Sequence, residues 1–557
     1  MNFNIEFQKI LMKRLLKKLL LRRLRWILRG HRTLKTEGSE AKIYAAIQAV
    51  ATAEFLKNKV YSKLIFGAAV EKAELAIRQY LLARTVVGFR FSKPLLYALG
   101  KPKGWVTHPL PHEWRKVVRK YGFKLPRIWS AAVWNGFVIF LFLRGILSIG
   151  KKIWGSVKAL IHPSLSMPNR FVFFNGLTAG NIPHSQENGP SYDIVSWYWQ
   201  WSDRVKKIDA LCHDVKGVDT CKINGVPVMT VSSAILPLMK LGALLRYIRW
   251  SFAAIFLAMI DLLRGRWWHA LLLEEGSLAA IIRLQSHQNM AQDYLFHNSN
   301  WTYRPLWTYE AAQKGSRITF YFYSSAGGDG FKRANGDYPP PYFGYSMMNW
   351  PHYLVWDNHQ ANAIRLLVGE RVNVSVVGPI WFHSSGIKLP ALSSKAIAVF
   401  DVQPVRDSFY QSFGIDFDYY TPTTTIQFLS DIDMALARSN YQFILKRKRH
   451  IGRLLHPKYK HFIKKLTERC DFVNIDPDIS AIQLIKECAA VISMPFTSTA
   501  IIAKELGKPS VYYDPHGLIQ KDDRGAHGID ILCGPEELSA WIATIDNVET
   551  MNETLCS

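Results

Sequence analysis

The sequence predicts an α/β chain made of two facing Rossmann-like domains behind an α-helical, membrane-associating region. Three observations predict it. From about residue 170, short apolar runs ending in Gly, Asn, Pro or Ser alternate with stretches of helical period. The alternation restarts after a Ser-, Gly- and Pro-rich segment at 384–394. The first third is helical in period and strongly basic. The boundaries that follow are 1–165 for the helical region, 166–385 for the first α/β domain, with an apolar insertion near 230–270, and 386–548 for the second.

With 557 residues the chain exceeds one ordinary core, so two sizeable domains and an appendage are expected. A composition of 49% hydrophobic and 20% charged residues excludes a long disordered or fibrous chain. Lys and Arg outnumber Asp and Glu by 70 to 43, a formal charge of +27, which calls for an anionic partner. Much of the excess lies in the first thirty-odd residues and around apolar stretches near 140 and 250. That placement points to a membrane surface. No RRM, KH or zinc-finger pattern supports nucleic acid. Cys212, Cys221, Cys470, Cys488, Cys533 and Cys556 form no Cys-x-x-Cys and no zinc spacing, so a reducing compartment and no structural metal are expected. Cys212-His213-Asp214 is not a triad, because side chains adjacent in sequence point apart.

In segment 9–29, Met12, Leu15, Leu16, Leu19, Leu20 and Ile27 gather on one helical face and Arg14, Lys17, Lys18, Arg22, Arg25 and Arg29 on the other. Charges run through the whole segment, which argues against a signal peptide and favours an amphipathic helix on anionic lipid, the alternative being a basic helix that is solvated or packs on its own protein. Segment 40–98 reads as a helical pair. Ile128–Leu143 and Ser251–Ile260 are apolar but short of the ~20 residues a crossing needs. Trp267-Trp268 follows the second at a position suited to a headgroup-level anchor, so monotopic insertion is the expectation, with one true crossing the alternative.

In the first α/β domain, 171–174, 317–323 and 374–377 read as strands. In the second, 396–400, 442–445, 472–475, 490–492 and 510–513 alternate with helices at 424–437, 458–468, 480–488 and 498–506, the pattern of a parallel sheet. Ligands of such sheets bind beyond the carboxyl ends of the strands, so chemistry is sought just after each one. Strand 490–492 runs into Pro495-Phe496-Thr497-Ser498-Thr499 and a helix. Thr497 or Ser498 is placed to cap that helix, whose open N–H groups would hold a phosphate; a plain capped helix is the alternative. Asp476-Pro-Asp478-Ile-Ser480 precedes a second helix, with Ser480 and Gln483 at capping-box spacing. The acidic pair reads as turn and cap, not as a metal site. Lys446, Arg447, Lys448 and Arg449 follow strand 442–445 and lead to His456-Pro457, cations and a histidine placed to meet a departing phosphate. Tyr513 is a candidate wall for a base or ribose. In the first domain, loop 175–193 offers His184, Glu187 and Asp193 as base candidates ahead of Trp197, Trp199 and Trp201. Trp301–Glu310 offers a second aromatic wall.

The run Ser493-Met-Pro-Phe-Thr-Ser-Thr-Ala-Ile-Ile-Ala503 with Gly507–Pro515 resembles the bacterial polysaccharide-biosynthesis proteins named for a Pro-Phe-Thr-Ser motif. Asn300–Trp307, Val377–Phe382 and Gln520-Lys-Asp-Asp-Arg524 are similar to the same group, over roughly 170–545. The resemblance implies a surface-carbohydrate glycosyltransferase of GT-B type on the cytoplasmic face of the inner membrane. His456-Pro457 and Thr497–Thr499 are also similar to motifs of transferases using CMP-activated acidic sugars, where such residues contact the CMP phosphate without a metal. No Asp/Glu-Asp/Glu-Gly base motif of the sialyltransferases accompanies them. The expectation is an inverting, metal-independent transferase with no cofactor, passing sugar from a nucleotide donor to a glycan or lipid-linked acceptor. Catalytic candidates are His184, Glu187, Asp193 and His456. Donor candidates are Lys446, Lys448, His456, Asp478, Ser480, Thr497, Ser498, Thr499 and Tyr513. The alternatives are a non-catalytic membrane-bound assembly factor, a sugar-nucleotide epimerase or a glycerophosphate-type transferase.

Overall fold

The computed structural model describes residues 59–82, 111–112, 115–116, 127–162, 170–183, 193–203, 207–218, 220–298, 304–325, 331–332, 335–338, 348–380, 388–404, 419–448, 450, 452, 455–469 and 471–556. The basic segment 9–29, His184 and Glu187 lie outside them. The chain forms two compact units, one of 1–150, 251–277 and 406–417, the other of 151–250, 278–405 and 418–557.

The described residues of the first unit are helical apart from short turns, and Arg127–Ile161, Leu241–Leu263 and Leu273–Leu284 run across its boundaries. Lys59–Phe66 (α1) continues through a 3-10 turn into Ala73–Leu82, all within the segment expected to be helical. Arg127–Ile161 (α2) is one 35-residue helix, so the apolar run 128–143 is only its first half. Leu241–Leu263 (α3) begins ten residues before the expected run 251–260 and is long and apolar enough to cross a membrane by length and composition. Leu273–Leu284 (α4) follows the short turn Trp268–Leu271. Two glycines set the helix spacing here. A Cβ on Gly276 would lie 2.7 Å from Ile65 Cγ2 and 3.0 Å from Ile65 O, and one on Gly145 would lie 2.9 Å from Leu273 Cβ. Backbones come this close only where no side chain intervenes.

The second unit holds both sheets. Its first sheet comprises β1 (Phe171–Phe174), β2 (Ala210–His213), β3 (Cys221–Ile223), β4 (Val226–Thr230), β5 (Asp293–His297), β6 (Arg317–Tyr321), β7 (Tyr353–Val355) and β8 (Val374–Val376), in the order β3-β4-β2-β1-β5-β6-β7-β8. Only β3 is antiparallel, closing a hairpin on β4. The second sheet comprises β9 (Ala396–Phe400), β10 (Gln442–Lys446), β11 (Phe472–Ile475), β12 (Ala490–Ser493), β13 (Ser510–Asp514) and β14 (Ile531–Cys533). All are parallel, in the order β11-β10-β9-β12-β13-β14. Counted from its first strand this is 3-2-1-4-5-6, the Rossmann order, with the topological switch between β9 and β12. Ala398 at the centre pairs with Ile444 on one side and Val491 on the other. These strands are apolar runs buried on both faces because helices cover both, which is why they stand out in sequence. In the first sheet the order again reverses about its first strand, between β1 and β5.

The helices that bear on the site are Asn358–Val368 (α5), Pro422–Leu436 (α6), Pro457–Leu466 (α7), Ala481–Glu487 (α8) and Ser498–Glu505 (α9). Each of the last four matches an expected helix to within two residues. Strands β2, β3, β4, β5, β7 and β14 carried no expectation.

Candidate functional site

The carboxyl edges of the two sheets meet. Ser325, just past β6, donates its N–H to Ser498 Oγ at 3.2 Å, with the two hydroxyls 3.1 Å apart. Lys332 N–H donates to Asp523 at 2.6 Å, and the Lys332 ammonium pairs with Asp522. Arg524 lies 3.8 Å over the Tyr338 ring. Asp357, just past β7, pairs with His527 at 2.5 Å. The Gln520–Arg524 segment singled out in the sequence is thus a tie to the first sheet's loops. A cavity of about 510 Å³ lined by Trp350, Pro351, Gly369 and Arg371 opens at the amino ends of β7 and β8, the edge away from these contacts.

The centre of the meeting edge is the turn after β12. Phe496 adopts φ +61°, uncommon for a bulky residue and costly by roughly 1–3 kcal/mol. Its surroundings hold it there. Tyr420 donates its hydroxyl to Pro495 O at 2.8 Å, Tyr512 donates to Thr497 O at 2.8 Å, and the Phe331 ring packs edge-on at 4.8 Å. Thr497 is the N-cap of α9 but makes no side-chain cap bond; its hydroxyl donates backwards to Met494 O at 2.8 Å. Thr499 Oγ1 bonds Ser493 Oγ at 2.8 Å and lies 3.2 Å from Thr497 Oγ1. Three other helix starts of this sheet are closed by side chains: Thr421 caps α6, His456 caps α7 and Ser480 caps α8. Among these four helices, α9 alone keeps its first-turn N–H groups uncapped by a side chain, and Phe496–Thr499 are only half-buried.

The other candidates divide by position. Ser480 forms the expected capping box with Gln483, and its hydroxyl is buried on Ile482 N–H. That bond occupies it. Asp478 is exposed in a turn closed by Asp476 and shares His450 with it, each carboxylate 3.4 Å from Nε2. These three exposed groups approach one another at the edge by β11. Lys446 is buried, donates to Pro477 O at 3.2 Å, and is lowered by burial to about 8 against the pull of Asp476 and Asp478. It is tied to the β10–β11 edge, while Lys448 is exposed. His456 accepts Lys458 N–H on Nδ1, which places the proton of the neutral ring on Nε2. Two expectations need correcting. Tyr513 is fully buried and donates to Asp431 at 2.6 Å, so it lines no ligand wall. Asp193 is a buried helix cap whose oxygens accept Ser196 N–H and Oγ–H, both at 2.8 Å, which leaves it badly placed as a base. Helical spacing also turns Trp197 and Trp201 onto each other at 5.2 Å, against the first sheet's core. Trp307 is buried on Tyr294. Cys212 is buried and its thiol pushed up to about 12 by that burial, which leaves it inert.

Two groups at the edge escaped the sequence reading. Asp401 directly follows β9 at the switch point, accepts the Tyr459 hydroxyl on Oδ2, and leaves Oδ1 buried without a hydrogen-bond partner. Burial lifts its carboxyl to about 6 despite Tyr459 and Arg447. Its place after a strand was the available signal. His527, with φ +54°, is the second. It had no signal, because its carboxylate is 170 residues away. At the first sheet's switch point, His297 Nε2 is spent on Gly176 O at 3.0 Å, and burial lowers the ring's affinity for protons.

The model of the polysaccharide biosynthesis PFTS motif proteins matches residues 250–542, more than half of the chain. The chain belongs to this family. The motif after which these PFTS proteins are named is Pro495–Ser498, the strained turn and uncapped helix start just described. No curated protein matches the PFTS chain. Among solved structures it is similar to UDP-GlcNAc 2-epimerase from Methanocaldococcus jannaschii, at 9% identity and a TM-score of 0.36, over 67% of this chain and 92% of that one. It is also similar to α,α-trehalose 6-phosphate synthase from Burkholderia multivorans, at 10% and 0.33 over 69% and 90%. A UDP-glucosyltransferase from Polygonum tinctorium matches at 12% and 0.32 over 68% and 90%. With scores this low, no residue role transfers from them.

Proposed function

We propose that this PFTS protein is a glycosyltransferase that takes its sugar from a nucleotide donor, with the donor phosphates at the start of α9. The observation that carries the reading is the uncapped helix start behind a strained, clamped turn at the switch point of a Rossmann-order sheet. Anions bind where first-turn N–H groups are open, and such sheets bind nucleotides at this edge. Ser498 and Thr499 add hydroxyl donors, and Ser325 brings an N–H from the other sheet to the same spot. His456, whose Nδ1 is held by Lys458 N–H, is the sequence-predicted hydrogen-bond donor for the departing phosphate through Nε2–H. Metal independence and inversion of the anomeric centre belong to the same proposal.

Membrane association is part of the reading too. Leu241, Leu245, Phe252, Phe256, Met259 and Leu263 of α3 are exposed at helical spacing, and α2 exposes Ile139, Leu143, Leu147, Trp154 and Ile161 likewise. Apolar stripes of this length on otherwise basic helices suit an anionic lipid surface.

The test is a thermal-shift panel of CMP-, UDP-, GDP- and dTDP-sugars on the full chain, followed by assay of nucleotide release from whichever donor binds. A ligand that binds only the folded state raises its melting temperature by mass action. Binding that Ser498→Ala weakens at least tenfold is expected. No response to any nucleotide sugar would overturn the proposal; an epimerised sugar nucleotide without nucleotide release would replace transfer by epimerisation.

A further inference from the structure

His527 and Asp357 come from the two sheets and meet at the edge that carries the PFTS turn. Asp357 follows β7 and caps α5 by accepting Gln360 N–H at 2.8 Å. Gln360 in turn donates to Ser324 O at 3.0 Å, next to the Ser325 that reaches Ser498. The dyad and the donor turn are therefore parts of one hydrogen-bonded edge. Burial alone would raise the Asp357 carboxyl, but its bonds to His527 and to Gln360 N–H outweigh burial and hold it below the ordinary carboxylate range. The ring is set by that carboxylate through Nδ1, and Nε2 has no partner among the described residues. His359 lies beside the ring at 5.6 Å between centroids, and the Lys504 ammonium of α9 sits on Gly528 O at 3.0 Å. A carboxylate on Nδ1 fixes the tautomer that leaves Nε2 basic. A left-handed φ at a non-glycine residue marks a position the fold holds against local cost.

Resting on the transferase reading above, we propose that His527 is the general base of transfer and that Asp357 is the residue positioning it. The acceptor hydroxyl gives its proton to His527 Nε2 as its oxygen bonds the anomeric carbon. The bond from that carbon to the donor phosphate breaks, and the nucleotide leaves with the electron pair at the start of α9. Base and leaving group thus sit at separate points of one edge. The bland alternative is a clamp that only joins the two sheets.

The experiment uses the full chain, the donor identified by thermal shift, and nucleotide release with water as the acceptor. His527→Gln should lower release ~100-fold or more with donor affinity unchanged. Wild-type release should fall as pH is lowered, because a protonated Nε2 accepts nothing, and the variant should lose that limb. Imidazole should restore part of the rate to His527→Ala. Lys332→Ala, which cuts a different tie between the same loops, should keep the wild-type pH limb and set the size of a structural effect. If the wild type binds no donor, the transferase reading fails and the dyad falls with it. If donor binds normally and His527→Gln releases nucleotide at the wild-type rate, or if both variants lose rate alike and imidazole rescues neither, the dyad alone fails.

Discussion

In the helical unit His269 spends both ring nitrogens, Nδ1 on Asp261 at 2.6 Å and Nε2 on Ser62 at 2.9 Å, and all three residues are sealed from water. In the sheet unit His527, itself largely buried, spends Nδ1 on Asp357, and its Nε2 has no partner among the described residues. The first has the distances of a hydrolytic triad, yet its serine sits within a helix and no substrate could reach it. Its work is to satisfy polar groups among Phe66, Trp268 and the packed glycines, fixing how the helices register. The number of partners on the ring, rather than the length of the carboxylate bond, separates the two histidines.

The comparison breaks most easily at its sealed side. His269→Ala leaves Asp261 buried without its closest partner and should cost about 3–5 kcal/mol, read as a lowered denaturation midpoint; an unchanged midpoint would mean the triad carries no structural weight. Asp401→Asn comes next. The folded carboxyl titrates at about 6, above its ordinary value, so the folded state holds the proton longer and stability falls as pH rises through roughly 4 to 6. The variant should be more stable than wild type at pH 8, by about 2–3 kcal/mol, with the difference gone at pH 4. Asp357 has the opposite sign: its lowered carboxyl stabilises at neutral pH and loses that contribution as acid protonates it. Gly276→Ala drives a methyl into Ile65 and should cost about 1–3 kcal/mol, measured by thermal melting. Ser480→Ala removes a capping box for about 1 kcal/mol and should leave nucleotide affinity unchanged, in contrast to Ser498→Ala. His527→Gln keeps a hydrogen-bonding side chain beside Asp357 and should lower the melting temperature less than His269→Ala does, while its rate effect is the largest of all.

Much of the second sheet was legible because parallel strands buried on both faces are unbroken apolar runs, and because capping residues act within three positions of the helix they close. Ser480 with Gln483 and the helix after Pro495-Phe496-Thr497 were read this way. Strands such as Cys221–Ile223 and Ile531–Cys533 are three residues long and carry too little pattern to be seen. Tyr513 misled because an aromatic after a strand looks like a ligand wall until its hydroxyl is found on buried Asp431.

The sequence by itself determined the two-sheet α/β architecture and the position of the PFTS turn between a strand and a helix. Each is written in local periodicity or in residues a few positions apart. Only the tertiary structure decided that Thr497 leaves its helix uncapped, that Asp193 closes one, that Asp401 sits at the switch point, and that Asp357 reaches His527. Those facts depend on which strands become neighbours and which hydroxyls are already spent. Such pairings join residues as distant in sequence as Asp357 and His527, 170 positions apart, where no sequence period reaches.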